Sequence, residues 1–234
     1  MPPATTVPTL WGDIPILLTA SIVPAKATFL LAHGAGAPMD SDFMSLMALA
    51  IAEQGFDVVR FEFPYMQQRR TTGKKSPPSP MPKLLQFWQQ LLDCAQEHTT
   101  LPLVLSGKSM GGRTASLVAA NEGGVLTAVT PRICAAVCFG YPFHPPAKLE
   151  KTRVGHLKSL ALPLSIFQGT RDPFGKPSEV LTYSLSDSVT LNWLDTGDHD
   201  FKPLKRSGRS QQDLILEAAR KAGCWIHSLI ERQP

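Results

Sequence analysis

The sequence predicts an α/β fold in which a mostly parallel β-sheet is covered by helices on both faces. Short apolar runs rich in branched residues alternate along the chain with longer stretches of helical periodicity, and this alternation is typical of parallel strands buried between helices. Of the 234 residues, 43% are hydrophobic and 18% are charged, which is enough apolar material for a large core. The length suits one domain, so we expect residues 1–234 to form a single unit.

The predicted elements follow one another in a regular order. The expected strands are residues 14–22, 27–34, 56–64, 103–106, 133–142, 162–170 and 189–195. The expected helices are residues 41–55, 83–98, a run that begins at Ser109, and residues 212–230. Ser41 is the expected N-cap of the first helix, and Gly55 is its expected end. Residues 71–82 (TTGKKSPPSPMP) are expected to form an exposed loop within the domain, because the alternation continues on both sides.

A strand-to-helix turn near the middle of the chain predicts a nucleophilic serine. In LVLSGKSMGGRTASLVAA (103–120), residues 107–111 fit G-x-S-x-G, which presents a serine on a strained turn whose flanking glycines relieve crowding. A purely structural glycine-rich turn is the alternative. The letters GKS also end a phosphate-binding loop, but that motif needs a glycine five positions before Gly107, where Pro102 stands. We therefore predict that Ser109 is a nucleophile.

A serine nucleophile needs a histidine base and a carboxylate that orients the imidazole. Asp172 follows the predicted strand LSIFQG, and His199 follows the last predicted strand, so the groups occur in the chain order serine, acid, histidine. Asp195, Asp198 and Asp200 compete for the role of the acid. Immediate neighbours of a histidine rarely direct their carboxylates at its ring, and Asp198 is expected to be a turn residue after a glycine.

The oxyanion that forms during hydrolysis needs fixed hydrogen-bond donors. The segment LLAHGAGAP (30–38) follows a predicted strand with small residues that leave backbone N–H groups uncovered. We expect the N–H groups of Met110 and Ala35 to form the oxyanion hole, with Gly36 as the near alternative. His33 is expected to be a structural turn residue that takes no part in proton transfer.

Three large side chains that follow strand ends, Tyr65, Met66 and Phe143, are candidates for lining the substrate's acyl pocket. Ordinary core packing is the equal alternative for each of them. The stretch between residues 140 and 160 is too short to hold a lid domain, so we do not expect a large lipid-binding cap.

The charge distribution argues against several classes of partner. The formal net charge is +4, and the basic residues are dispersed apart from Arg69-Arg70 and Lys74-Lys75, so nucleic acid is not an expected partner. These four residues are expected to form a solvated loop face, the alternative being that they attract an acidic substrate. No apolar run reaches the ~18 residues of a membrane span, and the first residues lack the pattern of a secretory signal.

The four cysteines are expected to be free thiols in a reducing compartment. Cys134 and Cys138 should face the same side of one strand, and no cysteine or histidine pair has metal-ligand spacing. We therefore expect a cytoplasmic protein that contacts no membrane and needs neither a metal nor a cofactor.

Taken together, the motifs resemble those of α/β-hydrolases. LLAHGAG, GKSMGGR, GTRDPFG and GDHDF carry this resemblance along the chain, and the sequence is most similar to the small lidless branch related to dienelactone hydrolases. A narrower resemblance, to the hydrolase-like domain of testis-expressed proteins and of an NSL acetyltransferase-complex subunit, is carried by residues 61–65, 107–113 and 168–175. Dienelactone hydrolases use a cysteine where Ser109 stands, so their substrate is not implied.

The residues and the resemblance together predict a serine hydrolase that cleaves a carboxylic ester, or a thioester or small amide, through an acyl-enzyme intermediate. Its expected partner is a small-molecule ester. The alternative, suggested by the chromatin-complex relatives, is a catalytically silent interaction protein that keeps the fold. The first prediction is favoured because an unused site has no need to retain the serine, the acid, the histidine and the glycines together.

Overall fold

The computed structural model describes residues 4–126 and 132–232, through which a single eight-stranded sheet runs. In chain order the strands are β1 (Thr6–Trp11), β2 (Ile14–Thr19), β3 (Thr28–Ala32), β4 (Asp57–Phe61), β5 (Leu103–Lys108), β6 (Ile133–Phe139), β7 (Leu164–Gly169) and β8 (Val189–Leu194). The α-helices are α1 (Asp42–Ala52), α2 (Pro64–Thr72), α3 (Met81–His98), α4 (Met110–Ala119), α5 (Pro177–Val180) and α6 (Gln211–Ile230).

The strand order across the sheet is β1-β2-β4-β3-β5-β6-β7-β8. β2 pairs antiparallel with both β1 and β4, and every other neighbouring pair is parallel. All residues of β3, β5 and β7 are buried, as expected for parallel strands that are covered on both faces. The predicted mostly parallel sheet is confirmed.

Helices cover the two faces of this sheet. On one face, α2, α3 and α4 pack on the strands around Trp88, whose indole N–H donates a hydrogen bond to Thr114 Oγ1 at 2.9 Å. On the other face, α1 and α6 pack against apolar residues of the central strands. The predicted covering of both faces is confirmed, and it follows from the amphipathic periodicity of α3 and α6.

Among the strands and α-helices, β1, α2 and the four-residue helix α5 were not predicted from the sequence. β1 forms a hairpin with β2 around Gly12, which has a φ of +55°, but five of its six residues are exposed, so it carries no apolar pattern. α2 has Pro64 at its start and ends at Gly73 with a φ of +67°. Its polar sequence QQRRTT hides the helical period, because only Tyr65 and Met66 of this helix are buried.

Two connections near the site hold little regular structure. Residues 73–80 form neither helix nor strand and are mostly exposed, whereas residues 71–72 end α2 and residues 81–82 begin α3. Between β6 and β7, one 3-10 turn (Gly155–Lys158) is the sole helical element, so the described residues contain no inserted lid. None of the helices in the described ranges is long and apolar enough to cross a membrane.

Cys134 and Cys138 pack on opposite faces of the sheet, which corrects the expectation that they share a face. The register between β5 and β6 shifts at this point: Leu103 pairs with Ile133, whereas Val104 pairs with Ala135. The extra residue is a β-bulge, and a bulge reverses the alternation of side chains beyond it. Cys134 therefore contacts the α1–α6 side of the core, and Cys138 contacts the α4 side.

Candidate active site

Four of the predicted site residues follow the carboxyl ends of parallel strands. Ser109 follows β5, Asp172 follows β7, His199 follows β8 and Ala35 follows β3. Parallel strands end at the same edge of a sheet, and the loops at that edge are where α/β proteins form their sites. The topology thus brings together residues that are far apart in the sequence.

Ser109 occupies a strained turn between β5 and α4. Its φ is +54° and its ψ is −115°, a backbone conformation that costs about 1–3 kcal/mol for a residue with a side chain. The turn is possible because glycines surround it. A Cβ on Gly107 would lie 2.6 Å from the nitrogen of Gly112, and one on Gly111 would lie 2.6 Å from the carbonyl oxygen of His33. The sequence-based expectation that these glycines relieve crowding is confirmed.

A chain of hydrogen bonds connects the predicted serine, histidine and acid. Nε2 of His199 lies 2.8 Å from Oγ of Ser109, and Nδ1 of His199 lies 2.8 Å from Oδ2 of Asp172. Because a carboxylate only accepts, Nδ1 carries the proton in the neutral ring and Nε2 is left free to accept one. The arrangement can therefore take a proton from the serine hydroxyl.

Asp172 is fully buried, and both of its carboxylate oxygens are hydrogen-bonded. Oδ2 accepts from Nε2 of Gln168 at 2.8 Å as well as from His199, while Oδ1 accepts from the backbone N–H of Phe174 at 2.8 Å. Gln168 is held in turn by the backbone of Tyr141. A buried carboxylate with this many donors is fixed in position.

The loop that carries His199 is held from two sides. The ring of Phe174 lies against the imidazole, with a distance of 4.3 Å between ring centroids. On the other side, Nζ of Lys108 donates to the backbone oxygen of His199 at 2.8 Å and lies 3.3 Å from Oδ1 of Asp200. Burial lowers the pKa of Lys108, and the nearby charges of Asp200 and Asp172 oppose that shift.

The two N–H groups expected to bind an oxyanion are free. Neither the N–H of Met110 nor that of Ala35 has an acceptor among the described residues, and both residues line a cavity that reaches Ser109. The peptide that carries the Ala35 N–H is fixed through the carbonyl oxygen of Gly34. That oxygen lies 2.6 Å from Nδ1 of His33 and 3.4 Å from the hydroxyl of Tyr65.

His33 acts here as a structural group. Its Nε2 accepts a hydrogen bond from the backbone N–H of Phe63 at 3.1 Å, so its Nδ1 carries the proton that is donated to Gly34. Burial lowers the pKa of His33, which keeps the imidazole neutral. Burial also raises the pKa of Tyr65 to about 12, so the tyrosine hydroxyl remains a donor. The two rings together set the orientation of the peptide after Gly34.

The basic residues of α2 are engaged in contacts with the protein. Arg69 donates to the carbonyl oxygen of Ala35 at 3.2 Å and to that of Ser76, while Arg70 forms ion pairs with Asp40 and Glu62. Lys74 and Lys75 in the following loop are exposed. The arginines thus hold the loops around the site, a role that the sequence analysis did not foresee.

Two cavities open at Ser109. One, of about 310 Å³, is lined by Lys108, His199 and the segment 34–37. The other, of about 350 Å³, is lined by Met110, Arg113, Arg153, Pro142, Phe174 and residues of the loop 73–80, among others. These volumes suit small organic groups.

The three candidates for the acyl pocket do not line either cavity. Tyr65, Met66 and Phe143 are each at most 4% exposed and belong to the main core cluster. Phe143 packs on the ring of Tyr141, with 4.8 Å between the ring centroids. This placement corrects the expectation that they line the pocket and favours the packing alternative.

The competing acids have other positions. Oδ1 of Asp198 accepts the N–H groups of Asp200 and Lys202 at 2.9 Å, as expected for a turn residue. Asp195 is exposed, and Asp200 points toward Lys108. Among the described residues, Asp172 is therefore the acid that contacts the ring of His199.

Sequence reasoning missed Lys108, Gln168, Phe174, Arg113 and Arg153. A signal existed for Lys108, because a lysine inside G-x-S-x-G stands at the end of an apolar strand, where burial is expected. Gln168 is a polar residue in an otherwise apolar strand, which indicates a buried partner. No pattern indicated the other three.

Within the described ranges, no group of three or more histidine, cysteine, aspartate or glutamate side chains could hold a metal ion.

Comparisons with known proteins agree with this fold. The family model described as an alpha/beta hydrolase domain matches residues 25–227. Three similar solved structures are an alpha-beta serine hydrolase homologue from Coxiella burnetii (16% identity, TM-score 0.67, 94% of this chain and 98% of that one), a dienelactone hydrolase from Anabaena variabilis (17%, 0.68, 96% and 97%) and a serine hydrolase without lid from Xanthomonas campestris (17%, 0.62, 94% and 96%). Identities this low show the fold alone. The narrower likeness to testis-expressed proteins stays a prediction.

Proposed function

The chain belongs to the alpha/beta hydrolase domain family, and from that premise we propose that it is a serine hydrolase that cleaves a carboxylic ester. The observation that supports this most directly is the hydrogen-bonded series Ser109–His199–Asp172, with two distances of 2.8 Å. A serine in a strained turn, a base within reach of it and a buried acid behind the base are the groups that acyl transfer requires.

In the proposed reaction, Nε2 of His199 accepts the hydroxyl proton while Oγ of Ser109 forms a bond to the carbonyl carbon of the ester. The carbonyl electrons move onto the oxygen and give a tetrahedral adduct. When this adduct collapses, the bond to the alcohol oxygen breaks and the alcohol leaves with the proton held by His199. The acyl group then remains on Ser109 as an ester.

Water completes the cycle by the same kinds of step, with water as the attacking group and Ser109 as the leaving group. His199 accepts a proton from water as the water oxygen attacks the acyl carbon, and a second tetrahedral adduct forms. Its collapse breaks the bond to Oγ of Ser109, which recovers its proton from His199, and the carboxylic acid is released. Throughout, the charge of Asp172 stabilises the imidazolium that forms twice in each turnover.

Both adducts carry a negative oxygen that needs donors. The N–H groups of Met110 and Ala35, which have no acceptor among the described residues, are the donors we assign. Loss of one such donor typically slows an enzyme about 10²- to 10³-fold. The cavities of about 310 and 350 Å³ that Ser109 lines support a small-molecule ester, with a thioester or a small amide as chemically related substrates.

Labelling with a fluorophosphonate probe tests this function. We expect one labelled serine in the native chain and no labelling of Ser109→Ala, with a melting temperature within a few degrees of the native value. Ser178→Ala is a matched control, because Ser178 is exposed on α5 and should label normally. Absence of labelling in the native chain, together with no turnover of a broad ester panel, would favour the silent interaction protein instead.

A further inference from the structure

One of the two cavities beside Ser109 is strongly basic. It holds two arginines, Arg113 and Arg153, and no aspartate or glutamate lines it. Ser109, Met110 and Ala35 border the same cavity, so a ligand group held by the arginines would be close to the nucleophile and to both N–H groups assigned to the oxyanion. The cavity is therefore within reach of a substrate that reacts at Ser109.

Both arginines are held by the backbone of the site. Arg113 lies one helical turn after Ser109 on α4, and its N–H donates to the Ser109 carbonyl oxygen at 2.9 Å, so the two side chains leave the same side of the helix. Arg153 donates its N–H to the carbonyl of Phe143 at 2.7 Å and accepts from the hydroxyl of Tyr141 at 2.8 Å. The backbone segments that carry the two arginine side chains are thus fixed at the cavity wall.

Neither guanidinium group has a protein partner among the described residues. No carboxylate lies within ion-pair distance of Arg113 or Arg153, neither side chain donates a hydrogen bond, and Nε of Arg113 is buried without an acceptor. A buried donor that lacks a partner destabilises the fold unless a ligand or solvent satisfies it. Burial lowers the pKa of Arg153, and the nearby charge of Arg113 lowers it further.

The other arginines that are not exposed behave differently. Arg60 donates to the carbonyl oxygen of Met39 and to Oγ of Ser45, and the side chains of Arg69 and Arg132 also donate to backbone oxygens. In this chain, then, a half-buried arginine normally has a protein acceptor. The pair in the cavity departs from that pattern, because neither guanidinium group has such an acceptor among the described residues.

Neighbouring groups do not neutralise the pair. The carboxylate of Asp172 is already bonded to three donors. Glu122 and Arg113 both line a third cavity, which Ser109 does not border, but Glu122 is not within ion-pair distance of Arg113. Burial, followed by the charge of Arg113, lowers the pKa of His156 to about 4, so this histidine is neutral near pH 7. Neutralising the positive charge of Arg113 and Arg153 is therefore left to a ligand.

We propose that Arg113 and Arg153 bind an anionic group of the substrate, a carboxylate or a phosphate, so that the preferred substrate is a negatively charged ester. This inference rests on the proposed hydrolase activity. Guanidinium groups are suited to it, since they form paired hydrogen bonds with both kinds of anion. The anion would fix the ester with its carbonyl carbon at Ser109.

Matched pairs of esters test the proposal. Monoethyl glutarate and ethyl pentanoate differ by a carboxylate on the acyl side, and 4-acetoxybenzoate and 4-acetoxybenzamide differ by one on the alcohol side. We expect the native chain to favour the anionic member of at least one pair, mainly through a lower KM. In Arg113→Gln and Arg153→Gln, the ratio of kcat/KM for that pair should fall about 10- to 100-fold, as for the loss of a charge-assisted hydrogen bond.

Two further variants separate charge from packing. Arg113→Lys keeps the charge and should retain part of the preference, while Arg206→Gln, which removes an exposed arginine far along the chain, should leave the ratio unchanged. The preference should also weaken with added salt. If neither pair shows a preference in a chain that is labelled at Ser109, the inference is overturned while the proposed hydrolase stands.

Binding measurements keep the inference testable even if no ester is turned over. Calorimetry with Ser109→Ala should detect glutarate or inorganic phosphate, and the double variants that add Arg113→Gln or Arg153→Gln should lose that binding. Binding of glutarate alone assigns a carboxylate, and binding of phosphate alone assigns a phosphate. Binding of neither, or binding that persists in the arginine variants, overturns the proposal.

Discussion

The ammonium group of Lys108 donates a hydrogen bond to the backbone carbonyl oxygen of His199, over a distance of 2.8 Å. The bond joins the last residue of β5 to the loop after β8, and so it links the segment before the assigned nucleophile to that of its base. Gly140 lies beneath this contact, where a Cβ would come within 3.3 Å of Nζ of Lys108 and 3.4 Å of Nδ1 of His199. We therefore infer that Lys108 positions the imidazole.

Replacing Lys108 with Met should lower kcat by about 10- to 100-fold, because displacement of a base by ~1 Å has effects of that size. KM for a neutral ester should change less than kcat, since the ammonium group is bonded to the backbone of the loop that carries His199. Steady-state kinetics on ethyl pentanoate measures both constants. Lys202→Met is the control, because Lys202 is exposed in the same loop; an equal loss in both variants would contradict the positioning role.

Asp172→Asn should keep the fold and lower kcat by about 10⁴-fold, the loss known for the equivalent change in serine proteases. An amide at this position can donate to Nδ1, which favours the wrong tautomer of His199. Burst and steady-state kinetics would measure the loss. Asp198→Asn keeps the oxygen that accepts two backbone N–H groups and should remain active. A larger loss in Asp198→Asn than in Asp172→Asn would refute the assignment of the acid.

Tyr65→Phe removes a hydroxyl that lies 3.4 Å from the carbonyl oxygen of Gly34 and 3.2 Å from that of Ala35. We expect kcat to fall about 3- to 10-fold, less than the loss of an oxyanion donor itself, because His33 still holds the peptide. Tyr183→Phe is the matched control, since its hydroxyl donates no hydrogen bond among the described residues and the ring packs on Phe143. Equal kinetics for the two variants would remove Tyr65 from this role.

His156 should make the fold sensitive to acid. Its pKa is lowered from 6.5 to about 4 by burial and by the charge of Arg113, so below about pH 6.5 the unfolded chain binds a proton that the folded chain does not. Stability is then fully present above pH 6.5 and declines as the pH falls toward 4.

Thermal melts at pH 7.5 and pH 5 measure this effect. The amide of His156→Gln can still bond to Ser116, which lies 2.8 Å from Nε2 of the histidine. The drop in melting temperature between the two pH values should therefore be smaller in the variant. His33, whose pKa is also lowered by burial, contributes to both proteins alike, and His98→Gln, at an exposed position, is the control. An unchanged drop would show that His156 is not a source of acid sensitivity.

The sequence was most informative where steric demands are absolute. Gly107 and Gly111 mark the turn at Ser109 because no larger residue fits there, and apolar runs mark strands that are buried on both faces. β1 and α2 escaped prediction because an exposed edge strand and a polar helix carry no apolar period. The bulge at Cys134 escaped as well, because its register depends on the partner strand and not on local sequence.

Side chains that converge on the site from distant segments were the hardest to foresee. The Lys108 contact spans 91 residues of sequence, and Arg113 and Arg153 meet only in the folded chain. The prediction that Tyr65, Met66 and Phe143 line the acyl pocket was wrong for a related reason. A large aromatic side chain after a strand end can turn either into the core or toward the cavity, and Tyr65 and Phe143 turn into the core.

The loop 73–80 has a consequence for how substrate preference could change over time. Its Pro78 and Ser79 form part of the wall of the arginine-bearing cavity, yet the segment pairs with no strand and is mostly exposed. Insertions or deletions there would reshape one side of the binding space without disturbing the sheet, since surface loops tolerate changes in length at little thermodynamic cost. Libraries aimed at new specificities should therefore vary this loop and leave the elbow glycines untouched.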